Sequence, residues 1–193
     1  MPDLFALSTG YDDGYTARFQ TTYNETNALA VRNSATGNFD NQTARTLVTA
    51  HGNIFNRAYQ YRSFLAFDMS GNDNDGSSIS GNTVASANLV MTTLANLSGF
   101  VSYTAETDEK LIVVKATASG GNFDGTGNYN DIDGWVSSGT YDGNVTEYGE
   151  ASQAANTAIS ITLNSTAISD INSAIGSGGT VKMAILTEDD FLS

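Results

Sequence analysis

The chain has 193 residues and sets 8 Lys plus Arg against 21 Asp plus Glu, a formal charge of −13. That balance argues against a nucleic-acid binder, which needs a basic face for phosphates, and against docking on an anionic membrane surface. With no Cys and one His, disulfides, thiolate chemistry, Cys-ligated zinc and any site built on two imidazoles are excluded.

The first residues, MPDLFALSTGYDDG, carry no basic segment and no long apolar run, so they are not read as a signal peptide. Residues 1–10 are expected to form an N-terminal arm or edge strand. Nowhere does the chain approach the ~18 consecutive apolar residues of a membrane span. Strands are predicted over 3–8, 15–22, 28–33, 45–50, 54–61, 63–69, 84–94, 110–116, 158–163 and 181–187. These segments are rich in Val, Ile, Thr, Tyr and Phe and are bounded by clusters of Gly, Asn, Asp and Ser. In the 84–91 segment Ala85, Ala87, Leu89 and Met91 alternate with Val84, Ser86, Asn88 and Val90, the pattern of a strand packed on one side and partly covered on the other.

Between the strands at 63–69 and 84–94 lies a turn-rich loop, Ser70 to Ser77, in which Gly and Asn tolerate positive φ and Asp closes Asx-turns. A second irregular region covers 119–149. Its glycines are interspersed with Phe123, Tyr129, Trp135, Tyr141 and Tyr148, which fits an ordered surface excursion better than a disordered linker, since disordered segments are depleted in aromatics. One short helix is predicted near 165–175. Asn164, Ser165 and Thr166 offer N-caps, Ala167, Ile168, Ile171, Ala174 and Ile175 form the apolar stripe, Asp170 lies on the opposite face, and Gly176 is the expected C′ residue. Many strands with one late helix make no βαβ series. The reading is a single all-β domain over 1–193, an antiparallel two-sheet jelly-roll sandwich capped by that helix.

Three constellations invite a chemical reading. Asp73 and Asp75 beside Gly76 suggest calcium, but an EF-hand with Gly76 at its sixth position would need an acid at Gly71 and a Glu at Asn82. What remains is a looser oxygen-ligand site or a solvated turn. Asp131 and Asp133, with Tyr129 and Trp135 beside them, could make a sugar platform: rings stack on a pyranose and acids accept from its hydroxyls. The plainer reading, preferred here, is that Trp135 and Tyr129 fasten the loop to the sandwich. Arg62 is a long cation in an apolar strand and needs a partner, because an unpaired buried charge costs about 3–5 kcal/mol. It is read as a structural ion pair at a strand end, bonded to a carboxylate or to loop carbonyls. His51 has no triad around it, and no G-x-S-x-G, H-E-x-x-H or P-loop pattern occurs, so no enzyme is expected.

The order Tyr11-Asp12-Asp13-Gly14-Tyr15, then Tyr61-Arg62-Ser63-Phe64-Leu65-Ala66-Phe67-Asp68, then Val84-Ala85-Ser86-Ala87-Asn88-Leu89 resembles the DNRLRE-type, carbohydrate-binding-module-like β-sandwich domains, whose pattern is R-S-x-L-x-F-D-x-S followed by I-x-S-A-x-L. The closing run Gly179-Thr180-Val181-Lys182-Met183-Ala184-Ile185-Leu186 before Glu188-Asp189-Asp190 is similar too. Such domains occur in secreted polysaccharide-active proteins and in phage virion proteins, and the early D-D-G-Y is most like the phage version. The resemblance implies a non-enzymatic structural virion protein of a tailed phage, made in the host cytoplasm. It would act as a capsid decoration or tail-fibre component, with other virion proteins and copies of itself as partners. The alternative it leaves, second to that reading, is a secreted carbohydrate-binding module binding a surface glycan, with no cofactor required and calcium as an optional stabiliser. Family members usually finish with a further strand, so an open sheet edge covered by a neighbouring subunit is expected.

Overall fold

The computed structural model describes residues 13–20, 30–31, 34, 36–37, 39–41, 50–54, 57–73, 75–92, 110–117, 126–136, 144–152 and 158–192. Within them run strands β1 (Asp13–Gln20), β2 (Phe39–Asn41), β3 (Ala50–Ile54), β4 (Arg57–Asp68), β5 (Asn88–Thr92), β6 (Lys110–Lys115), β7 (Glu147–Ser152), β8 (Ala158–Thr162) and β9 (Thr180–Thr187). Helix α1 covers Ser165–Ser177, a short α2 covers Glu188–Leu192, and a 3-10 turn covers Thr126–Asn130. The larger sheet has seven strands in the order β2-β1-β4-β9-β6-β7, with β3 added to β4; the smaller pairs β5 with β8. Every pairing among the described residues is antiparallel, and they form an all-β arrangement with one helix longer than two turns.

The hub is β4. Twelve residues long, it pairs with β1 along one edge from Ala58 to Leu65. Its other edge is shared, with β3 on Arg57 to Tyr61 and β9 on Ser63 to Asp68. Sequence reading splits this stretch into two strands with Arg62 at an end. Instead it is one strand with Arg62 in its middle, because β1 pairs with it without a break from Ala58 to Leu65.

Alternation along β4 sends successive side chains to two separate cores. Leu65 and Phe67 join Leu111 and Val113 of β6, Tyr148 of β7 and Val181, Met183 and Ile185 of β9 on the inner face. Leu89 of β5, Ile159 and Ile161 of β8 and the stripe of α1 close over them, so the two sheets face each other with the helix completing the lid. Phe64 and Ala66 point the other way, with Ile112, Val114, Ala184 and Leu186. Their cover is Ile132, Val145 and Phe191, with Trp135 and Val136 packed alongside. The 126–136 segment, Val145 and α2 therefore roof the outer face of the larger sheet. A sheet buried on both faces explains the unbroken apolar runs in β6 and β9.

α1 begins where the sequence indicates: the Asn164 side chain accepts from the N–H groups of Thr166 and Ala167, as a helix N-cap does. It ends later than expected. Gly176 lies within the helix, and Gly178, at φ 66°, is the left-handed cap. The expected strand at 84–94 begins only at Asn88. Upstream, the Val84 backbone is bonded in both directions to the Asn172 amide of α1, 2.7 Å from its N–H and 2.9 Å from its carbonyl, so its polar groups go to the helix rather than to a ladder. On the far side of β5 Val90 is 64% exposed, so that face is open rather than partly covered. Ala30 and Val31, within the expected strand at 28–33, are helical; short apolar runs do not distinguish strand from helix by periodicity. The arm at 1–10, the strand at 3–8 and most of 45–50 lie outside the described residues.

Candidate functional site

The densest polar constellation in the described residues is centred on Arg62, whose side chain is fully buried. β4 aims it to the outer face, in phase with Phe64 and Ala66. Nε donates to Asp190 Oδ2 at 2.7 Å and Nη2 to Oδ1 at 2.8 Å. This is the two-point geometry a planar guanidinium makes with a carboxylate. Asp190, on α2, is equally buried. Nη1 donates to the Tyr129 carbonyl at 2.9 Å and to Asn130 Oδ1 at 2.8 Å. Two rings stack on the same cation, Tyr129 with its centroid 4.1 Å from Cζ and Trp135 with its centroid 3.8 Å away. A desolvated cation on an aromatic face gains about 2 kcal/mol or more, and here the bonds are supplied by α2 and the excursion together.

The tie extends outward. Tyr129 Oη donates to the Val31 carbonyl at 3.0 Å, and Asn130 Nδ2 to the Ser34 carbonyl at 2.5 Å. The 126–136 segment thus links β4, α2 and the 31–34 segment. Its own backbone is fastened to the end of β6, where Ala116 bridges Ile132, Thr117 N–H donates to the Asp131 carbonyl and Asp133 N–H to the Lys115 carbonyl, both at 2.9 Å.

Of the four residues singled out as a sugar platform, Tyr129 and Trp135 meet on the protein's own cation, while Asp131 and Asp133 bond within their own loop. Tyr129 is 0% exposed, so it presents no ring face to a sugar. Trp135 is partly exposed and covers the guanidinium. Asp131 accepts from Asn128 Nδ2 at 2.6 Å, and Asp133 from Thr146 Oγ1 at 2.5 Å; each carboxylate holds the loop's own shape. The carboxylate partner of Arg62 is 128 positions away, one acid among 21, and sequence offers no way to choose it. Asn130 was also missed: nothing in an Asn-rich chain marks one amide as a bridge.

The loop after β4 is closed by its acids. Asp73 Oδ1 accepts from the N–H groups of Asp75 at 3.1 Å and Ser77 at 2.7 Å, an Asx-turn arrangement, while Asp75 is exposed. No cluster of three or more His, Cys, Asp or Glu suited to a metal occurs among the described residues.

A second polar group lies on the inner side, at the margin of α1. Lys115 Nζ is 3.0 Å from Asp170 Oδ2, and Tyr148 Oη donates to the same oxygen at 2.5 Å. Burial pushes the Tyr148 phenol well above its ordinary range, and donation to the adjacent Asp170 carboxylate raises it further. For Asp170 burial pushes upward, but the bonds from Tyr148 and Lys115 and the Lys115 charge outweigh it, and its carboxyl lies below the usual range. No helix among the described residues is long and apolar enough to cross a membrane. Comparison with protein-family models, curated proteins and solved structures yields no match to this chain.

Proposed function

We propose that this chain is a non-enzymatic structural protein of a tailed-phage virion, a capsid decoration or tail-fibre component built on a jelly-roll β-sandwich. The observation that carries this reading is the commitment of Arg62. The cation of the strand bearing the most distinctive motif is spent on two aromatic rings of the roof segment and a carboxylate of the 188–192 helix, which it binds to the sheet. A motif used in this way serves cohesion rather than turnover. Cohesion is what a building block needs, because its contacts with neighbours are individually modest and are multiplied by symmetry. The charge of −13 keeps free subunits apart before assembly.

The test is to locate the protein in purified particles by quantitative mass spectrometry and immunogold electron microscopy. The reading predicts a fixed copy number per particle, at a stoichiometry set by capsid or tail symmetry. Particles that lack the protein, or contain it only in trace and variable amounts, contradict it.

A further inference from the structure

The closing strand β9 is bonded on both edges, to β4 and to β6. Among the described residues the bare edge lies instead on the smaller sheet, along β5. Leu163 N–H donates to the Ala87 carbonyl at 3.0 Å, and the same register runs on from Asn88↔Thr162 to Thr92↔Ala158. Alternation along an antiparallel ladder therefore gives the backbone groups of Leu89 and Met91 to β8 and turns those of Asn88, Val90 and Thr92 outward. No strand among the described residues pairs with them on that side. The solvent face of the strand is open too, with the Asn88 and Val90 side chains exposed. The opposite edge of the pair, on β8, is covered by β7: a Cβ on Gly149 would lie 2.5 Å from the Thr162 carbonyl oxygen, and Asn164 N–H donates to the Tyr148 carbonyl at 2.8 Å.

Sheet edges of monomers are blunted by charge, proline, bulges or brevity. The other edges here carry such devices. β2 is three residues long and includes Asp40. β7 brings Glu147 and Glu150 and a register shift against β6, and β3 is interrupted by Gly52. β5, Asn-Leu-Val-Met-Thr, has none of them. It also lies in a neutral region of a chain of net charge −13: no Asp, Glu, Lys or Arg occurs from Gly76 to Ala105 or from Ala151 to Ser169, the stretches that supply β5 and β8. That neutrality selects the occupant. A two-fold contact sets each residue near its own copy, so a charged edge repels itself and a neutral one does not. A basic partner would be drawn to the acidic surfaces and finds no counter-charge here. We propose that β5 is a self-association edge, pairing antiparallel with β5 of a second copy to give a four-stranded sheet in the order β8-β5-β5-β8. Val90 then lies opposite its own copy, and Asn88 opposite Thr92 of the second copy, as hydrogen-bonded pairs. Such a contact serves the repeated packing of a virion, yet it rests on the edge alone and holds whether or not the protein is found in particles.

The experiment is sedimentation equilibrium of the full chain from about 10 μM to 1 mM, with amide hydrogen exchange followed by NMR at both ends of that range. Five residues make a small interface, so the expected result is a weak, reversible monomer–dimer equilibrium. Added salt should tighten it by screening the repulsion between two chains of −13, whereas it loosens an interface built on ion pairs. On dimerisation the amides of Asn88, Val90 and Thr92 should gain protection, while those of Leu89 and Met91, already bonded to β8, should not change. Val90→Glu sets two carboxylates opposite each other at an exposed position and should weaken dimerisation about tenfold, with the melting temperature of the dilute monomer unchanged. If that variant folds poorly, the concentration dependence of the wild-type Val90 amide decides the matter. A monomer at every concentration, open-ended polymers, a dimer that Val90→Glu leaves intact, or protection gained away from β5 would overturn the proposal; in the first case the edge is left to a strand from another protein.

Discussion

Arg62 of β4 and Asp190 of α2, 128 positions apart, meet at 2.7 Å with neither side chain exposed. A pair so placed is stabilising only relative to the broken pair: both charges lose their water, and the cost is recovered by the second bond, the Tyr129 carbonyl, Asn130 and the stacked rings. Removing one member leaves the other charged and buried. Asp190→Asn is therefore expected to lower stability by about 3–5 kcal/mol, measured by urea unfolding. Arg62→Lys should also destabilise, since a lysine keeps the charge but loses the two-point geometry and the stacking.

Trp135 belongs to the same structure. Trp135→Ala removes one ring from the guanidinium and part of the cover over the outer core. The expected loss is about 1–2 kcal/mol, read as a lower urea midpoint. On a glycan array, wild type and Trp135→Ala should give the same pattern. A glycan signal that disappears with the substitution would restore the reading of Trp135, Tyr129, Asp131 and Asp133 as a sugar platform.

The Tyr148–Asp170–Lys115 group predicts the pH dependence on both sides of neutrality. The Asp170 carboxyl is lowered in the folded state, so its contribution is complete above the unfolded carboxyl's range, near pH 4, and is lost as pH falls through the lower folded value. The Tyr148 phenol is raised, so its contribution is complete below the unfolded phenol's range, near pH 10, and declines as pH rises beyond it. In thermal melts from pH 2 to 11, Asp170→Asn should flatten the acid limb and Tyr148→Phe the alkaline limb. Limbs identical to wild type in both variants would show that the group does not titrate as argued.

Gly134 has φ 77°, and a Cβ there would overlap the Asn144 backbone carbonyl. Gly134→Ala combines left-handed strain with a clash against main chain, and a cost of about 1–3 kcal/mol from the strain alone is expected. Gly76→Ala, at φ 82° with nothing within 4 Å, separates the two causes: it should cost less than Gly134→Ala in the same unfolding assay.

Much of this architecture is legible in the residues because local chemistry decides it. The Asn164 cap and the stripe from Ala167 to Ile175 specify α1 almost to the residue. The apolar runs of β6 and β9 announce themselves by composition. What escapes is decided at a distance. β2 is three residues long and exists by pairing with β1. β7, EYGEAS, has little strand propensity of its own and is held by β6. The 188–192 helix carries three acids in sequence, and nothing in that run marks Asp190 as the partner of Arg62. That a cation at 62 needs an acceptor follows from electrostatics alone; which acceptor, and that the rings of Tyr129 and Trp135 would face this cation rather than a ligand, follows only from the three-dimensional path of the 126–136 segment.

The most direct test of the Arg62 constellation as a structural lock is a double-mutant cycle. Arg62→Met, Asp190→Leu and the double variant are unfolded in urea beside wild type. The account predicts that the double variant is considerably more stable than the sum of the single losses implies, with a coupling of about 2–3 kcal/mol, because each single substitution strands a buried charge and the double strands none. Additive losses, agreeing within about 0.5 kcal/mol, would mean that the two residues do not depend on each other and would contradict it.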